Sequence, residues 1–179
     1  MSTLRIPVGP QDHVRGNPDA AAVLVEYGDY QCPFCAQAVP AIEQLRQQFG
    51  DALCFVFRNF PLADAHPEAV PAAMTAEYAG ANGRFWDAHD ALYANQDQLG
   101  EGLYEAIVAE AGLPVSGLRQ ALRSGEYGQR IQHDFEGGVR SGVNGTPCFF
   151  VNGQRYDDAD GLQGLFDAIA EATGASGRD

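Results

Sequence analysis

The sequence predicts an α/β protein: a central sheet flanked by helices, with an all-helical block inserted between its strands. Three observations carry that reading. Two apolar runs, at 21–27 and 53–57, read as buried parallel strands on either side of an amphipathic helix. The long stretch 66–141 shows helical periodicity and no convincing strand. Strand and hairpin signals return at 148–156, and a last helix follows.

Taken in order, residues 4–8 are expected to form a short edge strand whose pairing Pro7 limits. Residues 9–19 are turn-rich, with Gly9-Pro10, Gly16 and Asn17-Pro18. The strand at 21–27 carries one charged residue, Glu26, near its end. A short turn leads to Cys32-Pro33-Phe34-Cys35, at the junction with a helix over 33–48. Glu26 is either an exposed strand end or a partly buried carboxyl beneath this cysteine pair. Cys32 falls at or next to the helix N-cap, where orphan N–H groups and the helix dipole favour a thiolate. Pro33 suits the first helical position. Cys35 lies one turn in, within reach of Cys32, so the spacing reads as a redox pair. A zinc site would need two more ligands close by. Cys54 and Cys148 are far apart, and His13, His66, His89 and His133 are scattered.

Phe34, Ala38, Ile42, Leu45 and Phe49 predict one apolar stripe on that helix. Pro40 predicts a kink and Gly50 a stop. Cys54, on the strand at 53–57, reads as a buried structural thiol. Residues 58–61 lead the chain out of the sheet. Helices are predicted at 67–81, 84–95, 102–111, 115–123 and 126–141, punctuated by Gly83, Gly100, Gly112-Leu113-Pro114 and Gly125. Leu103, Ile107 and Ala111 make one stripe; Tyr127, Ile131, Phe135 and Val139 make another. Phe85, Trp86, Leu92 and Tyr93 read as core, and His89 and His133 as structural or solvated. Asn152-Gly153 predicts a hairpin between 148–151 and 154–156. Asp160 is expected to cap a last helix burying Leu162, Leu165, Phe166 and Ile169. The tail from Gly174 onward reads as frayed.

The length suits one domain with a sizeable core. A hydrophobic fraction of 45% and a charged fraction of 20% are ordinary for a globular chain. The net charge of −13 argues against nucleic acid and anionic membranes as partners. No apolar run approaches membrane-spanning length. Pro7, Gly9, Pro10 and Asp12 interrupt any signal-peptide pattern, so a cytoplasmic protein is expected, or a periplasmic or extracytoplasmic one had a leader been trimmed. Four cysteines do not make a disulfide framework. The expectation is a monomer with neither cofactor nor metal.

Four stretches carry a resemblance: Val-Glu-Tyr-Gly-Asp-Tyr-Gln-Cys-Pro-Phe-Cys at 25–35, Phe-Arg-Asn-Phe-Pro-Leu at 57–62, Gly-Val-Asn-Gly-Thr-Pro at 142–147 and Phe-Phe-Val-Asn-Gly at 149–153. From about residue 12 to 172 the chain resembles the thioredoxin superfamily, and its helical block resembles the DsbA-like branch. The resemblance implies a thioredoxin-fold domain from 1–62 and 142–179, with an inserted helical subdomain at 63–141. It implies thiol–disulfide exchange with protein thiols, or with glutathione, and a redox partner protein. Cys32 would be attacked or attack, Cys35 would resolve, and Glu26 could relay the proton of Cys35. Thr146-Pro147 would be a cis-proline loop packed against the cysteines, aligning a peptide substrate together with Pro33 and Phe34. One departure is Phe34, where the best-known periplasmic oxidases carry a histidine. The rival readings are a glutathione-dependent reductase or peroxidase on the same fold, and a chaperone-like module with structural cysteines. Cys148, next to Pro147, is expected to face away from the pair, because successive strand side chains alternate. Cys54 and Cys148 are expected to stay free, since the strand leading to Cys32 runs between theirs.

Overall fold

The computed structural model describes residues 2–157 and 160–174. Five strands form one mixed sheet: β1 (His13–Gly16), β2 (Ala22–Gly28), β3 (Leu53–Asn59), β4 (Cys148–Val151) and β5 (Gln154–Tyr156). Their spatial order is β1-β3-β2-β4-β5. β2 and β3 run parallel, joined by the crossover helix α1 (Pro33–Phe49), as the two buried apolar runs require. β1, β4 and β5 pair antiparallel to their neighbours. Between β3 and β4 lie α2 (Ala69–Ala81), α3 (Phe85–Ala94), α4 (Glu101–Glu110), α5 (Val115–Ser124) and α6 (Gly128–Arg140). α7 (Gly161–Thr173) follows the hairpin.

The period of two along each strand divides the core. Leu24, Phe55, Phe57 and Phe149 face one side, where α1, α7 and most of the helical block pack. Val25, Tyr27, Cys54, Val56, Cys148 and Phe150 face the other, against Phe60, Val143 and Phe135. On that second side the glycine pair of α6 permits close approach: a Cβ on Gly138 would stand 2.8 Å from the Phe60 ring and 3.0 Å from that of Tyr27. Arg58 pins the N-terminal segment there, its guanidinium donating to Asp12, to Tyr27 Oη and to the carbonyls of Ile6 and Pro7. With four acceptors and an opposite charge, this buried cation is compensated.

Several expectations fail for identifiable reasons. Residues 4–8 form no strand; only Thr3 makes a single bridge, to Gln154 at the opposite edge of the sheet. The edge strand is His13–Gly16, inside the stretch read as turn. It is short and polar, and tertiary contacts hold it: His13 stacks on Phe85 at 3.5 Å, and the Arg15 guanidinium lies 4.9 Å from the Trp86 ring centre. β3 continues through Arg58 and Asn59, because Asn59 is held by Glu77 and Asp134 rather than by water. Val139 is 52% exposed, because α6 turns Gly137 and Gly138 inward. Leu162 is 40% exposed, and Asp160 occupies the N-cap position of α7 without a side-chain cap bond. Phe34 leaves the α1 stripe to Cys35, Ala38, Ile42 and Leu45. The tail beyond Gly174 lies outside the described residues.

The hairpin follows the sequence closely. Asn152 and Gly153 have φ of 48° and 80°, the left-handed pair that an Asn-Gly turn supplies. Helices α2 to α6 fall within a few residues of their predicted limits.

Candidate active site

Cys32 is the N-cap residue of α1, with extended backbone, and Pro33 opens the helix. The Cys32 N–H donates to the carbonyl of Asp29 at 3.1 Å, and its own carbonyl accepts the Ala36 N–H at 3.2 Å. Cys35 lies one turn in and is fully buried. As a thiol, Cys32 Sγ donates to the carbonyl of Thr146 at 3.5 Å. The Thr146–Pro147 peptide is cis. Phe34 is 66% exposed beside the pair. A groove of roughly 470 Å³ opens there, lined by Phe34, Gln37, Thr146, Pro147, Phe149 and Tyr156 among others.

The two thiols are electrostatically unlike. The Cys35 thiol donates to Cys32 sulfur, and this outweighs burial; with the Thr146 side chain and the N–H groups of Cys35 and Phe34, it lowers the Cys32 pKa to about 5. Cys35 moves far upward, because it gives that hydrogen bond and is buried near the Glu26 charge.

Glu26 sits on β2, on the sheet face shared with the cysteines, paired with Phe57 and Phe149 in the neighbouring strands. It is buried rather than an exposed strand end. Burial, and secondarily the charge of Cys32, raise its pKa to about 8. Its Oε1 finds no hydrogen-bond partner among the described residues.

The structure therefore brings together all seven residues singled out: Glu26, Cys32, Pro33, Phe34, Cys35, Thr146 and Pro147. It also shows supports that no local pattern announces. The buried Asp29 carboxylate accepts from the N–H groups of Gln31 and Leu62 and meets His66 Nδ1 at 2.8 Å. Gln31 accepts from the Glu68 N–H. Tyr30 Oη meets His89 Nδ1 at 2.9 Å, so His89 is structural, and burial holds its pKa well below the ordinary value. Gln96 donates to the carbonyls of Tyr30 and Cys32. The Gly-Asp-Tyr-Gln run before Cys32 is the one sequence signal here, as a turn-forming stretch.

Cys148 and Cys54 lie on the opposite face of the sheet from Cys32 and Cys35. Both are free and buried, and burial raises the pKa of each. β2 separates their strands, as expected from the order of the elements.

A dithiol at a helix N-terminus, facing a cis-proline turn at the end of a mixed sheet, defines a protein with a thioredoxin-type fold. The sequence matches the Thioredoxin family over residues 9–171, and the chain belongs to that family. It is similar to the oxidised BdbD of Bacillus subtilis, with a TM-score of 0.86 at 21% identity, covering 97% of this chain and 98% of that one. A thioredoxin-like oxidoreductase from Silicibacter pomeroyi DSS-3 gives a TM-score of 0.79 at 27% identity, covering 92% and 93%. Among curated relatives, a Na(+)/H(+) antiporter NhaA 1 from Mycobacterium sp. (strain KMS) is 44% identical over 158 residues, 86% of this chain and 26% of the relative. The chain thus spans about a quarter of the length of the curated relatives it matches. Among the described residues no helix is long and apolar enough to cross a membrane.

Proposed function

We propose that this chain is a thiol–disulfide oxidoreductase that exchanges disulfides with protein thiols through Cys32 and Cys35. The observation that carries the reading is the geometry of the pair: Cys32 at the N-cap of α1 against the cis Thr146–Pro147 turn, with Cys35 one turn in and the buried Glu26 carboxyl beneath, an arrangement that lowers the pKa of Cys32 and raises that of Cys35. In the oxidising direction a substrate thiolate attacks Cys32 sulfur, the Cys32–Cys35 bond breaks, and Cys35 leaves as a thiolate. Cys35 then takes a proton, for which the buried Glu26 carboxyl is the source. A second substrate thiolate attacks the substrate sulfur of the mixed disulfide and expels the Cys32 thiolate. Two electrons pass to the protein and one disulfide forms on the substrate. The reducing direction runs the same steps backwards, with Glu26 taking the proton as Cys35 resolves. A low pKa at Cys32 makes it a good leaving group and biases the equilibrium toward the reduced dithiol.

Pro33 and Phe34, exposed beside the buried pair, would align an extended peptide together with Thr146 and Pro147. We take the protein to act as a monomer with a redox partner protein. We further place it in the cytoplasm, reduced there by a thioredoxin- or glutathione-type donor.

The test is turnover of a reduced unfolded protein and of a protein disulfide. The wild type should catalyse both exchanges, and Cys32→Ser should lose them. Undiminished exchange in Cys32→Ser defeats the reading, and turnover with glutathione but not with protein thiols replaces it with a glutathione-dependent enzyme. Trapping the thiols in cells should find the pair mostly reduced; a mostly oxidised pair in an exported protein would overturn the compartment.

A further inference from the structure

Gln96 belongs to no motif. It opens the short turn Gln96–Gln98 between α3 and α4. Its carboxamide nitrogen donates to the carbonyl of Tyr30 at 2.8 Å and to that of Cys32 at 2.9 Å. Only the NH2 end of a carboxamide can face two carbonyl oxygens, so the hydrogen-bond network fixes its orientation.

We propose that Gln96 is a positioning residue for thiol exchange, clamping the Cys32 turn to the helical block and fixing the rotation of the Cys32–Pro33 peptide. This rests on the oxidoreductase reading above.

The neighbouring supports act elsewhere on the turn. Asp29 is held by Gln31, Leu62 and His66, Gln31 by Glu68, and the Tyr30 ring by His89. Among these side chains only Gln96 reaches the backbone of Cys32. Among the described residues the Cys32 carbonyl otherwise accepts only the Ala36 N–H, at 3.2 Å, the first bond of the helix. The N–H groups of Phe34 and Cys35 reach Cys32 sulfur only while the cap keeps this geometry. A clamp on the Cys32 carbonyl therefore acts on the thiolate without touching it. The titratable side chains near the pair (Glu26, Asp29, Tyr30, His66 and Tyr93) are not the groups Gln96 bonds: its two hydrogen bonds go to backbone carbonyls.

Gln96→Met keeps length and bulk but removes both donors. In the reduced variant, the pH dependence of thiolate absorbance should show the Cys32 pKa raised by about one unit, the worth of one net hydrogen bond. The equilibrium with glutathione should shift about tenfold toward the protein disulfide, since the thiolate that favours the dithiol is weakened. An unchanged pKa and an unchanged equilibrium, even with a lower melting temperature, would overturn the proposal and leave Gln96 a structural clamp. Should the variant not fold, the wild type decides: the Gln96 side-chain amide should exchange slowly with solvent, and free exchange would overturn the clamp. A wild type whose Cys32 has an ordinary thiol pKa and does not exchange with glutathione defeats the oxidoreductase reading instead, whatever the variant does.

Discussion

Burial alone would raise the pKa of a thiol as enclosed as Cys32. The Cys35 hydrogen bond, assisted by the Thr146 side chain and the helix N–H groups, reverses this and brings it to about 5. Its folded value thus lies below the unfolded one. The stability it contributes is fully present above the ordinary thiol range and is lost as pH falls through about 5. The reduced protein near neutral pH should therefore be alkylated at Cys32 alone, with a rate midpoint near pH 5 by peptide mass spectrometry. A midpoint in the ordinary thiol range would remove the electrostatic asymmetry. Glu26 has the opposite sign. Its folded pKa of about 8 exceeds the ordinary carboxylate value of 4.5, so its contribution to stability is full at acid pH and declines as pH rises toward 8. Glu26→Gln should flatten that decline, gaining on the order of 2–4 kcal/mol above pH 8 and little near pH 5. The same substitution should slow the resolving step. Urea denaturation at the two pH values and mixed-disulfide decay rates measure both; no change in either would detach Glu26 from the pair.

At the scale of elements, alternation along β4 decides the role of Cys148. Phe149 faces the cysteine side of the sheet, whereas Cys148 and Phe150 face the other. Cys148→Ala should keep most exchange activity and cost only about 1 kcal/mol, the scale of a small cavity. A Cys32–Cys148 disulfide found by peptide mapping of the oxidised native protein would contradict the geometry. This parity was readable in the sequence, as were the two parallel strands, the hairpin turn and the helix limits. Each rests on a periodicity or a turn signal confined to a few residues. What escaped depends on partners distant in the chain. His13–Gly16 is a strand because β3 and the rings of α3 receive it. Phe34 and Val139 fit apolar stripes by spacing, yet Cys35 and the α6 glycine pair take the inward places. Gln96 escaped for the same reason: its two acceptors lie more than sixty residues away.

At the scale of the molecule, one apolar cluster joins the sheet to the helical block. Tyr30, Phe57, His89 and Tyr93 form a contiguous set of rings across that junction. Glu77 and Asp134, from α2 and α6, hold the end of β3. We propose that the insertion at 63–141 is a subdomain of one cooperative unit. Fluorescence of the single Trp86, within the insertion, should lose its native signal together with the far-ultraviolet circular dichroism. Two separated transitions would show independent units. This junction matters to the chemistry because the turn bearing Cys32 is held from the helical side. On the proposed mechanism Cys32 is the sulfur through which electrons pass, with Cys35 as its resolver. The decisive experiment mixes Cys35→Ser protein with a protein disulfide at neutral pH and maps the adducts by mass spectrometry. A stable mixed disulfide is expected on Cys32 and none on Cys54 or Cys148. No adduct, or one shared among the three cysteines, would refute the mechanism.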